Sequence, residues 1–130
     1  MNILLDTNAL IYILDSADSS ELGPQAKLRI AKADRVFMST ISLVEINIKV
    51  MLGKLVAPPK LLEAINAAGI KELPFDFSAA EAIKNFPKLI RHDPFDRMIL
   101  SQAEAGGLRL LTADKVLLSL NLPYVIDART

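Results

Sequence analysis

The chain has 130 residues and is 52% apolar, enough for one compact domain spanning 1–130, whereas two would each have too small a core. Its 15 Lys and Arg balance 15 Asp and Glu, so no net charge draws it to polyanions and any contact with nucleic acid must use a local patch. The absence of cysteine excludes disulfides, thiolate metal sites and cysteine nucleophiles, and a lone histidine, His92, excludes a histidine-rich site, which leaves carboxylates as the plentiful metal ligands.

Asn2 to Leu5 is a short apolar run closed by Asp6, and Asp6 or Thr7 can cap a helix reaching Asp15 with Leu10, Ile11 and Leu14 at helical spacing. Ser16 to Ser20 is polar and turn-like. Pro24 suits the first position of a helix running to about Lys32, and Arg35 to Met38 is a second strand. Ser39 or Thr40 then caps a long helix to Leu52, stopped by Gly53, and Pro58 and Pro59 open the next one, which Gly69 ends. Ile70 to Leu73 is a third strand, and Ser78 caps a helix ending near Phe86, before Pro87. Asp93-Pro94 opens a helix that runs to Gly106-Gly107; Leu108 to Leu111 is a fourth strand, Thr112 to Leu120 a short helix, and Tyr124 to Ile126 the last strand. Strands alternating with helices at this spacing imply right-handed crossovers and an α/β sandwich with a parallel sheet covered on both faces. The apolar runs are too short and too often interrupted by charge for a membrane span, and no signal peptide is read at the start, so a soluble, cytoplasmic protein is expected.

In such a sheet chemistry collects beyond the carboxyl ends of the strands. Asp6 and Asp114 both fall there, and the ordinary reading of each is a helix cap. Glu45 lies in a helix apolar on most of its circumference, so it is expected to be buried and in need of a partner; the ordinary one is Lys49, one turn later. In Arg91-His92-Asp93-Pro94-Phe95-Asp96-Arg97, Asp93 is placed as the cap before Pro94, and Asp96 falls in the first turn, where dipole compensation is the ordinary explanation. Unpaired carboxylates about 4 Å apart repel by about 4 kcal/mol at an effective dielectric of 20, so a cluster of Asp6, Glu45, Asp96 and Asp114 calls for a cation. All-oxygen ligation points to Mg²⁺ or Mn²⁺ and to phosphodiester hydrolysis, with Thr112 and Ser42 placed to orient water.

These motifs, Leu5-Asp6-Thr7-Asn8, Glu45 after Ser42, Asp93-Pro94-Phe95-Asp96-Arg97 and Thr112-Ala113-Asp114, resemble in order and spacing the PIN-domain nucleases, above all the VapC-type toxins of toxin–antitoxin pairs. The resemblance covers essentially the whole chain. It implies a PIN-like α/β/α sandwich around a central, mainly parallel five-stranded sheet, an Mg²⁺- or Mn²⁺-dependent endoribonuclease, and a cognate antitoxin. By motif, Asp6, Glu45 and Asp96 match the core acids and Asp114 the fourth, more variable one, as metal ligands and catalytic residues; Thr7, Asn8 and Thr112 match supporting polar positions. Related sequences often carry His two places before the first Asp of the Asp-Pro-Phe-Asp-Arg element, where this chain has Arg91. His92, one place later, is therefore expected to be an exposed or hydrogen-bonded loop residue outside the catalytic set.

Competing readings fare less well. A haloacid-dehalogenase phosphatase resembles Asp-x-Asp, but position 8 is Asn; a receiver domain needs an acceptor Asp where Ser39 stands; a PIN-like RNA-binding scaffold with a vestigial metal site sits poorly with four intact acids. Lys49, Lys54, Lys88, Arg91, Arg97 and Lys115 flank the acids and are candidates for RNA phosphate contacts, while few aromatics argue against a stacking platform. The apolar excess of the Ser39 to Leu52 helix suggests a homodimer through that face. An antitoxin is expected to place a guanidinium among the acids and an amphipathic segment near Ile11, Leu14 and the Ile41 to Met51 helix.

Overall fold

The computed structural model describes residues 1–15 and 19–130, so part of the expected turn over Ser16 to Ser20 lies outside the described residues. The strands are β1 (Asn2–Leu5), β2 (Arg35–Ser39), β3 (Lys71–Leu73), β4 (Arg109–Thr112) and β5 (Val125–Asp127). They form one five-stranded sheet in the order β3-β2-β1-β4-β5, with all four pairings parallel. From β1 the chain winds outward through β2 to β3, then returns to the other side of β1 for β4 and β5. The point where the winding reverses is the crevice at the carboxyl ends of β1 and β4, where open α/β sheets bind ligands.

Period-two alternation divides the core. Ile3, Leu5 and Leu111 pack on one face with Ala9 and Leu10 of α1 (Thr7–Leu14), Ala26 of α2 (Pro24–Lys32), Ile46 of α3 (Thr40–Met51) and Ile65 of α4 (Leu61–Ala67). Leu4 and Leu110 point to the opposite face and pack with Ile99, Leu100 and Ala103 of α6 (Pro94–Gly106) and Leu117 of α7 (Lys115–Ser119). α5 (Phe77–Ala82) packs chiefly against α6. Each fully enclosed Leu or Ile stabilises the fold by about 1.5–3 kcal/mol relative to exposure, so the apolar runs of β1 and β4 anchor the sheet centre.

Three helix starts differ from expectation. α4 begins at Leu61, beyond Pro58 and Pro59, because Pro58 precedes a proline and is driven out of the helical region, and Lys60 then takes a left-handed turn (φ 53°). Asp76, not Ser78, caps α5 by accepting a hydrogen bond from the Ala79 N–H at 2.9 Å, and the helix tightens into a 3₁₀ turn over Ile83–Asn85. Thr112 belongs to β4, since its carbonyl accepts from the Ala128 N–H at 2.8 Å, and α7 starts only after Asp114.

One buried polar chain ties the carboxyl ends together. The Ser39 hydroxyl donates to Gln102 Oε1 at 2.5 Å, and Gln102 Nε2 donates to the Leu73 carbonyl at 3.2 Å. Those bonds link the end of β2, the end of β3 and the middle of α6, and so set how α6 presents its first turn to the sheet. Both Ser39 and Gln102 are buried, so an apolar residue at position 102 would leave the Ser39 hydroxyl proton without its acceptor, although the oxygen keeps the Ile41 N–H, at a cost of about 1–3 kcal/mol.

Candidate functional site

Asp6 follows β1 directly and is 3% exposed. Its Oδ1 accepts the Ala9 N–H at 2.8 Å and caps α1, while its Oδ2 accepts the Thr112 hydroxyl at 2.5 Å. Capping therefore falls to Asp6 and not to Thr7, which turns inward: its hydroxyl donates to Glu45 Oε1 at 2.6 Å and lies 3.0 Å from the Ser42 hydroxyl. Thr112 also accepts the Asp114 N–H at 3.0 Å, so one hydroxyl holds both Asp6 and the turn carrying Asp114. Thr112 and Ser42, expected to orient water, are thus engaged with protein groups.

Glu45 is buried as expected, although α3 is not enclosed all round: Val44, Ile48, Val50 and Met51 are exposed. The helix buries only its Ser42, Glu45 and Ile46 side. The ordinary partner is present, with Lys49 Nζ 2.7 Å from Glu45 Oε2. Lys49 reaches the buried carboxylate along its aliphatic stem while its end stays partly solvated, which avoids the full cost of a buried ion pair. Its pKa is raised, chiefly by that bond and further by Glu45, Asp93 and Asp96.

Asp93 caps α6, accepting the Phe95 N–H at 2.8 Å, and is half-buried. Asp96, in the first turn of α6, faces the other acids. Arg97 turns away, as adjacent helical residues must, and donates from Nη1 to the Ile90 carbonyl at 3.2 Å. Asp114 caps α7 through Oδ1, which accepts the Leu117 N–H at 2.9 Å. Its other oxygen, Oδ2, is 3.5 Å from His92 Nε2, and Asp96 Oδ2 is 3.3 Å from the same nitrogen. His92 is thus a loop residue, but one held between two acids instead of lying outside the site. Asn8 is exposed on the first turn of α1.

Burial and neighbouring charge both act on these acids. Asp96 is pushed up to about 8, first by burial and then by the carboxylates of Asp114, Asp93, Asp6 and Glu45. Asp6 is raised to about 6, chiefly by burial and also by Glu45 and Asp114, against the opposing effect of the Thr112 and Ala9 hydrogen bonds. Asp96 thus feels Asp6, Glu45 and Asp114, and Asp6 feels Glu45 and Asp114. Lys49 compensates one of these acids. A donor set of carboxylates with one imidazole, short of positive charge, fits a divalent cation with a preference for oxygen.

The PIN domain family model matches residues 3–121. The fold is similar to a chain of VapBC2 from Rickettsia felis bound to a promoter DNA fragment (TM-score 0.65, 16% identity, covering 97% of this chain and 96% of that one). It is also similar to a chain of DNA-bound VapBC from Salmonella typhimurium (0.65, 22%, 96% and 95%). A third similar structure is VapBC-5 from Mycobacterium tuberculosis, of the VapBC family of toxin–antitoxin systems (0.59, 22%, 99% and 98%). No curated protein matches the chain by sequence.

A raised carboxyl pKa means that the folded chain holds its proton more tightly than the unfolded one. The stability this contributes is full below the ordinary carboxylate value of 3.8 and is lost as pH rises through about 6 for Asp6 and about 8 for Asp96. Metal-free protein should accordingly melt at lower temperature as pH goes from 4 towards 8. Asp96→Asn should flatten the upper part of that slope and raise the melting temperature at pH 8 by about 3–6 °C, the shift expected of roughly 1 kcal/mol in a chain of this size. Melting curves across this pH range, recorded in chelator, check both; an unchanged slope in Asp96→Asn contradicts the assignment.

Proposed function

Since the chain belongs to the PIN domain family, we propose that it is a metal-dependent endoribonuclease, hydrolysing RNA phosphodiester bonds as the toxin of a type II toxin–antitoxin pair. What supports this reading is that Asp96 feels Asp114, Asp6 and Glu45, while His92 Nε2 stands 3.3 Å from Asp96 and 3.5 Å from Asp114. The toxin–antitoxin systems among the similar structures support the physiological role.

In this reading Asp6, Glu45, Asp96 and Asp114 hold Mg²⁺ or Mn²⁺. The ion would supply Lewis acidity, activating water and offsetting charge on the scissile phosphate. The chain's own residues prepare the site. Thr112 and the Ala9 N–H fix both oxygens of Asp6, and Thr7 and Lys49 fix both oxygens of Glu45, so neither acid reorients during reaction. Capping bonds to Asp114 and Asp93 hold the starts of α7 and α6 in the same way. Exposed Lys54, Lys88, Arg91 and Lys115 lie along the chain near these acids and would contact RNA phosphates, which positions the strand without reading its sequence.

Cleavage of a panel of structured and single-stranded RNAs, with Mg²⁺, with Mn²⁺ and in chelator, tests the reading. Cation-dependent cuts are expected, and Asp6→Asn or Asp96→Asn should lower the rate at least about a hundredfold while the protein stays folded. Cleavage that persists in chelator contradicts it, and RNA binding without cleavage would point instead to a scaffold with a vestigial site.

A homodimer through α3 and an antitoxin that blocks the acids complete the proposal. Val44, Ile48, Met51, Leu52 and Leu62 form exposed apolar surface on α3 and around α4. Light scattering should give twice the chain mass for the unaltered protein and a single mass for Ile48→Asp; a monomer at high micromolar concentration in both removes the dimer.

A further inference from the structure

Carboxylates dominate the site, but His92 adds a donor of another kind. Its Nε2 stands 3.3 Å from Asp96 Oδ2 and 3.5 Å from Asp114 Oδ2. One ligand atom from each of these three residues lies within 4.8 Å of the other two. The nitrogen is buried and makes no well-formed hydrogen bond among the described residues. A strong polar group is thus left unsatisfied at the place where two acids face each other. Both separations are near the edge of a donor octahedron, about 3 Å for bonds of about 2.0–2.1 Å.

We propose that His92 is a direct ligand of the cation, binding through Nε2 beside Asp96 and Asp114, and that this nitrogen biases the site towards first-row transition ions such as Mn²⁺ over Mg²⁺. The inference rests on reading the acidic cluster as a cation site. Mg²⁺ sheds water reluctantly and takes oxygen ligands, whereas sites with nitrogen donors hold transition ions more firmly. The competing role for His92 is a protonated imidazole acting as counter-charge to two carboxylates. That role makes the opposite forecast, because deleting a resident positive charge would tighten binding of either cation.

Because His92 is the only histidine in the chain, any imidazole signal in untagged protein belongs to it. Pulsed electron paramagnetic resonance of full-length protein loaded with Mn²⁺ should show nitrogen modulation of imidazole type, altered in pattern when histidine is ¹⁵N-labelled. Labelling leaves the fold untouched. By calorimetry, His92→Gln should weaken Mn²⁺ binding at least about tenfold, since contacts one step further from a metal already cost about 10–100-fold, and should narrow the preference over Mg²⁺. Mn²⁺ that binds without nitrogen modulation overturns the proposal, as does His92→Gln binding both ions more tightly. RNA cleavage, measured in parallel, separates the two readings. Nitrogen modulation without cleavage leaves His92 a ligand and removes the nuclease; cleavage with Mn²⁺ bound and no modulation removes the ligand and leaves the nuclease.

Discussion

Burial of neighbouring carboxylates at the carboxyl ends of β1 and β4 is the constraint around which the rest of the structure is organised. Burial first, and then neighbouring carboxylates, Glu45 and Asp114 for Asp6 and chiefly Asp114 and Asp93 for Asp96, disfavour the charged forms, and both acids sit above ordinary carboxylate values. The fold tolerates this because the surrounding framework is over-determined. β1 and β4 carry fully buried leucines on both faces, and the helix starts that bear Asp6, Asp93 and Asp114 are each closed by the acid itself. Asp114 shows the division most plainly, closing its helix with Oδ1 and turning Oδ2 towards His92.

Two kinds of polar contact between elements bear on the site. Thr112 with Asp6, and Thr7 with Glu45, fix the acids directly. Ser39 with Gln102 acts at a distance, tying the end of β2 to the middle of α6, the helix that carries Asp96. Removing either kind would cost more in geometry than in bulk stability, since a hydrogen bond contributes only about 1 kcal/mol net whereas misplaced ligands lose their common centre.

Local patterns carried most of the architecture. A strand ending in Asp and leading into a helix is readable at Leu5-Asp6-Thr7 and again at Thr112-Ala113-Asp114, and both sites fall where an alternating strand and helix order must put them. Glu45 with Lys49 is an i,i+4 pair and equally local. His92 was not legible in this way, because its place between Asp96 and Asp114 depends on α7 approaching the loop before α6, which no short window contains. Ser39 and Gln102, 63 residues apart, were hidden for the same reason. The start of α4 is not legible locally because Pro58-Pro59 carries opposed signals, proline favouring a first helical turn and excluding helix from the residue before it.

On the proposed function, this cluster is electrostatically incomplete without a divalent cation. Proton release on Mn²⁺ binding tests it most directly, through calorimetric titrations at pH 7 in buffers of different ionisation enthalpy. With Asp96 near 8, the metal-free site retains a proton at that pH, and binding should expel about one proton per cation. Binding with no proton released, or no binding at millimolar Mn²⁺, would contradict the account.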